Sequence, residues 1–381
     1  MFVTLGFREP LSEVDAATGA VLRSYDGTKS TEEIAFAEGT LFLVVDPNKP
    51  PADYRAEIST YAEIKHANSG WGWSAHKPLR DLVAVQADSG RVLWRYAATV
   101  APLTMTVGAT QVLLYDGDKM VSLDRRTGRP QWESPHPPGL TIVPATGAAP
   151  RVILSDGVVV LCDMTRVFGF SAADGKLLWE GKIPPTGHHC PSDLFVIDGL
   201  IWSAHTGAAQ QNGTHLVALD LRTGATAKDF VAENLKGFPM HPRCYPGRAT
   251  EQYLLLSGMG TEFYKVGGSQ VEIHDYVRGS CIYGVMPCNG LLYKPPDSCA
   301  CFYQSKLEYF CALAPAAGQA REPVRDEQRL VKGPAYAAIP SGRPAAAGSD
   351  DWPMYRHDPA RREPRCKAYG ASRRLSIMLR P

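Results

Sequence analysis

One hairpin signal recurs along this chain at a nearly constant interval, and it constrains the fold more than any other feature. A short apolar strand runs into an Asp-x-x-Thr-Gly turn, and a second strand follows with Trp four residues after the Gly. The clearest copy is Met120-Val-Ser-Leu-Asp124-Arg-Arg-Thr127-Gly128, closed by Trp132. The segments Leu82–Trp94, with its turn at Gly90, and Val167–Trp179, with its turn at Gly175, repeat it. Asp220-Leu-Arg-Thr223-Gly224 keeps the turn but carries Lys228 at the Trp place, and Asp15-Ala-Ala-Thr18-Gly19 carries Arg23 there. A weaker sixth copy ends Tyr264-Lys-Val-Gly-Gly268. The glycines at 90, 128, 175, 224 and 268 lie 38, 47, 49 and 44 residues apart, which is the blade period of a β-propeller. From Gly19 to Gly90 the interval is 71 residues. It holds either a blade without the signature or an insertion, and the polar run over residues 46–80, with Gly70-Trp71-Gly72-Trp73, favours an insertion.

The turn residues have physical reasons. An Asp oxygen caps a tight turn by accepting nearby backbone N–H groups, and the Gly supplies the left-handed conformation that ends a longer hairpin loop. The flanking residues alternate in the way of strands packed between two neighbours. A Trp repeated once per blade has a large apolar body and one N–H in need of an acceptor, so it is expected to dock between adjacent blades. The expected fold is all-β: a β-propeller of four-stranded blades, seven or eight in number, in a ring whose closure the pattern leaves open.

Composition narrows the function classes. The chain has 381 residues, with 40 Lys+Arg against 39 Asp+Glu and a net charge of +1, so no global electrostatic case exists for nucleic acid or for an anionic membrane. No apolar run is long enough for a transmembrane helix. The 35 Gly and 30 Pro accompany 44% apolar residues, a balance that suits many turns between short strands and not disorder. The opening MFVTLGFREP lacks a basic region followed by an apolar one, so it is no secretory signal. It reads as a strand already inside a domain, and the true start is expected upstream.

These repeats resemble those of the pyrroloquinoline quinone (PQQ) propeller superfamily, whose consensus is close to A-x-D-x-x-T-G-x-x-x-W. The resemblance covers about residues 10–315. His241-Pro-Arg-Cys-Tyr-Pro-Gly-Arg-Ala-Thr250 and Gly290-Leu-Leu-Tyr-Lys-Pro-Pro296 are similar to a narrower group of large bacterial propeller proteins, common in planctomycete-like bacteria, that carry two propeller-like halves. Asp351-Trp-Pro-Met-Tyr-Arg-His-Asp358 resembles the opening of such a half. The resemblance therefore implies a propeller over 1–315, an Ala/Pro/Gly-rich linker over 316–350, and over 351–381 either the truncated start of a second half or a disordered basic tail. It also implies an extracytoplasmic place, periplasmic or at the cell surface.

Membership of that superfamily does not by itself bring PQQ or calcium. Quinoprotein dehydrogenases of the superfamily hold calcium on carboxylate and amide oxygens, use a carboxylate base, and set a vicinal Cys–Cys disulfide against the cofactor. This chain has no adjacent Cys pair, and Cys299-Ala-Cys301 is the nearest approach. No calcium ligand set can be placed, so no catalytic residue is assigned.

Two cysteine-bearing groups remain. His188-His189-Cys190 and His241-x-x-Cys244 open successive blades, so their loops are expected at one end of the ring. Imidazole and thiolate together suit zinc or copper, but the spacing matches no established metal pattern, and loop packing or a Cys190–Cys244 bridge explains them as well. Cys281, Cys288, Cys299, Cys301 and Cys311 cluster where blades give way to Pro-rich loops; one or two disulfides pinning those loops are expected ahead of a metal. Arg243 and Arg248 flank Tyr245, either to grip an anion or to stitch a blade edge through backbone carbonyls. With no catalytic set, the expected function is a binding or scaffold platform for a protein partner or another domain of the same polypeptide. The alternative is a PQQ- or metal-dependent oxidoreductase whose site is incomplete here.

Overall fold

The computed structural model describes residues 1–6, 8–47, 79–135, 150–162, 165–184, 193–206, 213–232, 245–257, 260–274, 277–279, 284–296, 307 and 309–315. They belong to one compact unit, Met1–Pro315; the second unit, Ala316–Pro381, lies outside the described residues.

Seven antiparallel sheets follow one another along the chain, with no helix among the described residues. Blade 1 is β1 (Phe2–Thr4), β2 (Leu11–Val14) and β3 (Val21–Ser24). Blade 2 is β4 (Thr31–Ala37), β5 (Thr40–Val45), β6 (Leu79–Gln86) and β7 (Val92–Thr99). Blade 3 is β8 (Thr106–Val107), β9 (Gln111–Tyr115), β10 (Met120–Asp124) and β11 (Pro130–Glu133). Blade 4 is β12 (Arg151–Ser155), β13 (Val158–Cys162), β14 (Arg166–Ser171) and β15 (Leu177–Lys182). Blade 5 is β16 (Phe195–Ile197), β17 (Leu200–Thr206), β18 (Thr214–Asp220) and β19 (Thr226–Ala232). Blade 6 is β20 (Arg248–Ala249), β21 (Tyr253–Ser257), β22 (Thr261–Lys265) and β23 (Val271–His274), and blade 7 is β24 (Met286–Cys288), β25 (Leu291–Lys294) and β26 (Cys311–Leu313). The first strands β4, β8 and β12 touch in turn, as do β20 and β24, so first strands line the hub. The architecture is a seven-bladed β-propeller, with five blades of four strands and two of three among the described residues.

The second and third strands of blades 2 to 4 are largely buried: β9, β13 and most of β5, β6, β10 and β14 are closed to solvent. A strand packed on both faces loses the in–out alternation of a half-buried one, and these read as runs such as Leu41-Phe-Leu-Val-Val45 and Val158-Val-Val-Leu-Cys162. Their side chains fill one apolar layer per interface. Between blades 2 and 3, Phe42, Val44, Leu82 and Trp94 meet Val112, Leu114, Val121 and Leu123. Between blades 4 and 5, Val158, Val160 and Trp179 meet Ile201, Val217 and Leu219.

Because neighbouring strands are antiparallel, the first-to-second and third-to-fourth turns share one face of the ring. On that face every connection is two to six residues long. Four of the first-to-second turns place two consecutive residues at positive φ: Glu38-Gly39, Asp156-Gly157, Asp198-Gly199 and Asn289-Gly290, as type I′ hairpins require. The strand ends that flank every connection longer than six residues lie on the opposite face. Among the described residues the interval between Gly19 and Gly90 contains no extra blade: β5 and β6 pair directly from Thr40↔Gln86 to Val45↔Asp81, with 33 residues of sequence between Val45 and Leu79. In the sixth turn the left-handed residue is Gly267, at φ 79°, rather than Gly268.

Candidate functional site

The tight-turn face is built as a lock between blades. In three turns the Asp side chain closes its own loop. Asp15 Oδ1 accepts the Thr18 N–H at 2.7 Å and its hydroxyl at 2.9 Å; Asp124 and Asp220 do the same with Thr127 and Thr223. These bonds favour the ionised carboxylate and hold all three below the usual carboxylate range, led by the Thr18 backbone N–H at Asp15 and by the Thr127 and Thr223 hydroxyls at the other two. At the fourth turn Asp174 pairs with Lys176 at 2.7 Å and is held at about 2.

Each Trp then reaches into the following blade. The indole N–H groups of Trp94, Trp132 and Trp179 donate to the carbonyls of Arg125, Ala172 and Leu221, each at 3.0 Å. Each acceptor lies at the second position of the next turn, three residues before its Gly. The ring covers that Gly so closely that a Cβ on Gly128, Gly175 or Gly224 would lie 2.6, 2.4 or 2.5 Å from the indole. The acceptor residue is itself fixed, since its own N–H donates to the first-to-second turn of the same blade. Arg125 N bonds Thr110 O, Ala172 N bonds Gly157 O and Leu221 N bonds Gly199 O, at 2.9 to 3.0 Å.

Two residues in this lock carry no sequence signature. Blade 1 has Arg23 in place of Trp, and Tyr25, two residues on, donates its hydroxyl to Ala87 O at 2.7 Å. Ala87 is the residue equivalent to Arg125, and its N–H bonds Gly39 O. Arg125 also spans two blades through its side chain, which donates to Ala109 O in its own blade and to Ala37 O in the one before, pairs with Glu38 at 3.2 Å and lies over the Phe42 ring.

The opposite face has a different chemistry. Arg80 is almost wholly buried and donates Nε to Glu32 at 2.7 Å, with Asp46 at 3.5 Å. Asp46 and Arg80 stand at the two roots of the 33-residue connection, so the cluster clamps its ends. Beside it Glu33 accepts backbone N–H bonds from Leu103 and from Met105 (3.3 Å) in the connection between blades 2 and 3. Burial raises its carboxyl to about 7, against the lowering effect of those donors. Further round, Tyr245 is fully buried; its hydroxyl donates to Gly260 O at 3.0 Å and accepts from Gly279 N at 3.2 Å, with the guanidinium of buried Arg278 over its ring. Arg248 is half-buried and donates to the Gly247 carbonyl; Arg243 lies outside the described residues.

The other candidates stand as follows. His188, His189, Cys190, His241, Cys244, Cys281, Cys299 and Cys301 lie outside the described residues, as do Trp71 and Trp73. Cys288 is exposed on β24 and Cys311 half-buried on β26, with β25 between them. Among the described residues no three His, Cys, Asp or Glu side chains converge on a metal position, and no helix is long and apolar enough to cross a membrane.

The sequence pattern of the family described as outer membrane protein assembly factor BamB, a PQQ-type repeat family, matches residues 7–225, more than half of the chain. The chain belongs to this family. BamB of Burkholderia pseudomallei strain K96243 is 28% identical over 136 residues, which is 32% of this chain and 35% of that protein. The match thus spans about a third of that relative's length. Among solved structures, BamB from Moraxella catarrhalis is similar at 13% identity with a TM-score of 0.48, over 76% of each chain. The computationally designed Ika8 protein is similar at 12% identity with a TM-score of 0.49, again over 76% of each.

Proposed function

We propose that this BamB-family ring is a non-catalytic platform that binds protein partners through its long-loop face, outside the cytoplasm. One observation carries the reading: every connection longer than six residues leaves the ring on the same face, while the other face is closed by short turns and interblade bonds. Binding residues concentrate on loops held by a rigid scaffold, and a locked ring presents them at low ordering cost. The relatives bear the name of an assembly factor for outer membrane proteins. That name supports both a polypeptide partner and an extracytoplasmic place.

The test is site-specific photo-crosslinking in cells. A photoreactive residue at Leu103 or Asp118, both exposed on the long-loop face, is expected to give the same discrete protein adduct. The same residue at Arg126 or Arg222, exposed on the tight-turn face, is expected to give none. Equal adducts from both faces, or none, would overturn the reading. So would saturable binding of PQQ with calcium to the purified chain together with dye-linked alcohol oxidation.

A further inference from the structure

In blades 2 to 5 an ionisable residue stands nine positions before the turn glycine, and its partner stands on the fourth strand five positions after it. Asp81 pairs with Arg95 at 3.5 Å, Lys119 with Glu133, and Arg166 with Glu180 at 2.6 Å. In blade 5 the pair is His215 and Asp229, with Nε2 and Oδ1 2.6 Å apart. The same place thus holds a fixed ion pair in three blades and an imidazole–carboxylate pair in the fourth.

Blade 5 differs in a second way. The register of β17 and β18 sets His205 directly opposite His215, one step before the Thr206↔Thr214 pair that ends the ladder. In blade 2 the residue opposite Asp81 is Val45. Directly opposed residues of an antiparallel pair share a face of the sheet, with Cβ atoms about 5 Å apart. Two imidazoles so placed repel each other when both carry a proton, so they add nothing to the sheet by themselves. Both neutral, they offer two nitrogen lone pairs on one face.

Side chains alternate along β18, so this face is the one on which Val217 and Leu219 pack against Val167 and Ile183 of blade 4. The side chain of His215 is 29% exposed and that of Asp229 59%, so an ion reaches the pair from solvent. Asp229 meets a further demand of metal binding. A ligating imidazole donates its other ring N–H to a carboxylate or carbonyl, which fixes the tautomer and raises the basicity of the binding nitrogen. With the Nε2 proton directed at Asp229, Nδ1 of His215 keeps its lone pair.

We propose that His205 and His215 together bind a zinc ion, with Asp229 as the carboxylate that orients His215. Imidazole suits this metal, and the paired strands hold the two ligand positions in register before the ion arrives. The ion ties β17 to β18 just before they part at Thr206 and Thr214. The site is independent of the platform reading, and it uses none of His188, His189, Cys190, His241 and Cys244.

The test is calorimetric titration of zinc chloride into the metal-free full chain. The parent is expected to bind one zinc ion more than His205→Gln, His215→Gln or the double variant, since either single change breaks the same two-ligand site and the second then costs nothing further. Asp229→Asn, at an exposed position, is expected to weaken that step about tenfold or more. Urea midpoints without zinc control for folding, and zinc should raise the parent's midpoint more than that of any imidazole variant. Titrations of the two single variants that match the parent overturn the proposal. So does a step lost in His215→Gln but kept in His205→Gln, which would mean one imidazole acting alone, and so does an Asp229→Asn titration identical to the parent's. Should either Gln variant unfold without zinc, the ring signals of His205 and His215 in the parent's NMR spectrum decide: both shifting with the same zinc dependence upholds the site, and either one unmoved overturns it.

Discussion

Trp179 donates its indole N–H to the carbonyl of Leu221 at 3.0 Å, and its ring lies across Gly224 three residues later. One side chain thus satisfies a backbone acceptor and covers the left-handed corner of the next blade. Gly224 meets two demands at once: its φ is 69°, and a Cβ there would stand 2.5 Å from the indole. Gly224→Ala is therefore expected to lower stability by about 2–4 kcal/mol, from overpacking together with the left-handed penalty. Gly157→Ala is the control, because it has positive φ with nothing within 4 Å of the added methyl, and it should cost only about 1–2 kcal/mol. Denaturant midpoints of the two variants check the difference.

Trp179→Phe should separate the two halves of the lock. The ring still covers apolar surface, but the Leu221 carbonyl loses its donor. A loss of about 1–3 kcal/mol is expected for an acceptor left without its partner, and Trp179→Ala should lose more, about 3–5 kcal/mol. A Phe variant as stable as the parent in urea would show that the indole N–H contributes nothing.

Trp202 and Tyr264 pack within the seam between blades 5 and 6, but no fourth-strand indole or Tyr covers its tight turn. Lys228 occupies the Trp place, and its Nζ lies 3.7 Å from where a Cβ on Gly267 would be. With less apolar cover on that side, the β22–β23 hairpin should open before its counterparts. Native-state hydrogen exchange is expected to show faster exchange in Val271–His274 than in Leu177–Lys182. The reverse order would mean that the lock does not set local stability.

How much of this was legible in the sequence follows from what each feature demands chemically. The third-to-fourth hairpins are legible because Asp, Thr and Gly are each required by the turn, and Trp by the seam. The hub strands are not: β8 and β20 have two residues each, too few for any period to register. Tyr25 is illegible for another reason, since its place in the lock is defined by the Ala87 carbonyl of a different blade. Arg125 sits inside a recognised turn, yet its side-chain partners Ala37 and Glu38 are brought near only by ring geometry. The Gly-Gly pair alone points to Gly268 as the corner, and the backbone places the left-handed residue one position earlier. The His/Cys groups lie outside the described residues.

Arg80 holds Glu32 and Asp46 in a buried cluster at the roots of the long connection. Arg80→Ala leaves two carboxylates without their cation, one of them nearly closed to solvent, and about 3 kcal/mol of stability should be lost. The double change Arg80→Met with Glu32→Gln should recover part of it, since removing both members of a buried pair costs less than removing one. Thermal unfolding of the two variants and the parent distinguishes the cases.

Glu33 gives the fold a specific dependence on pH. Burial lifts its carboxyl from the ordinary value of 4.5 to about 7 in the folded chain, opposed by the backbone donors Leu103, Met105 and Thr104 and reinforced by neighbouring Glu32. A group with a raised folded pKa binds its proton more tightly when folded. Its contribution is complete below pH 4.5 and is lost as pH rises through 7. Unfolding midpoints of the parent should therefore fall across that interval relative to Glu33→Gln, which keeps an acceptor for the 103–105 backbone but cannot ionise. The two proteins differ in that one carboxyl alone, so the difference between their profiles isolates Glu33. Parallel profiles for parent and variant between pH 4.5 and 7 would show that the carboxyl keeps its ordinary affinity for the proton and that the connection between blades 2 and 3 is not held through it.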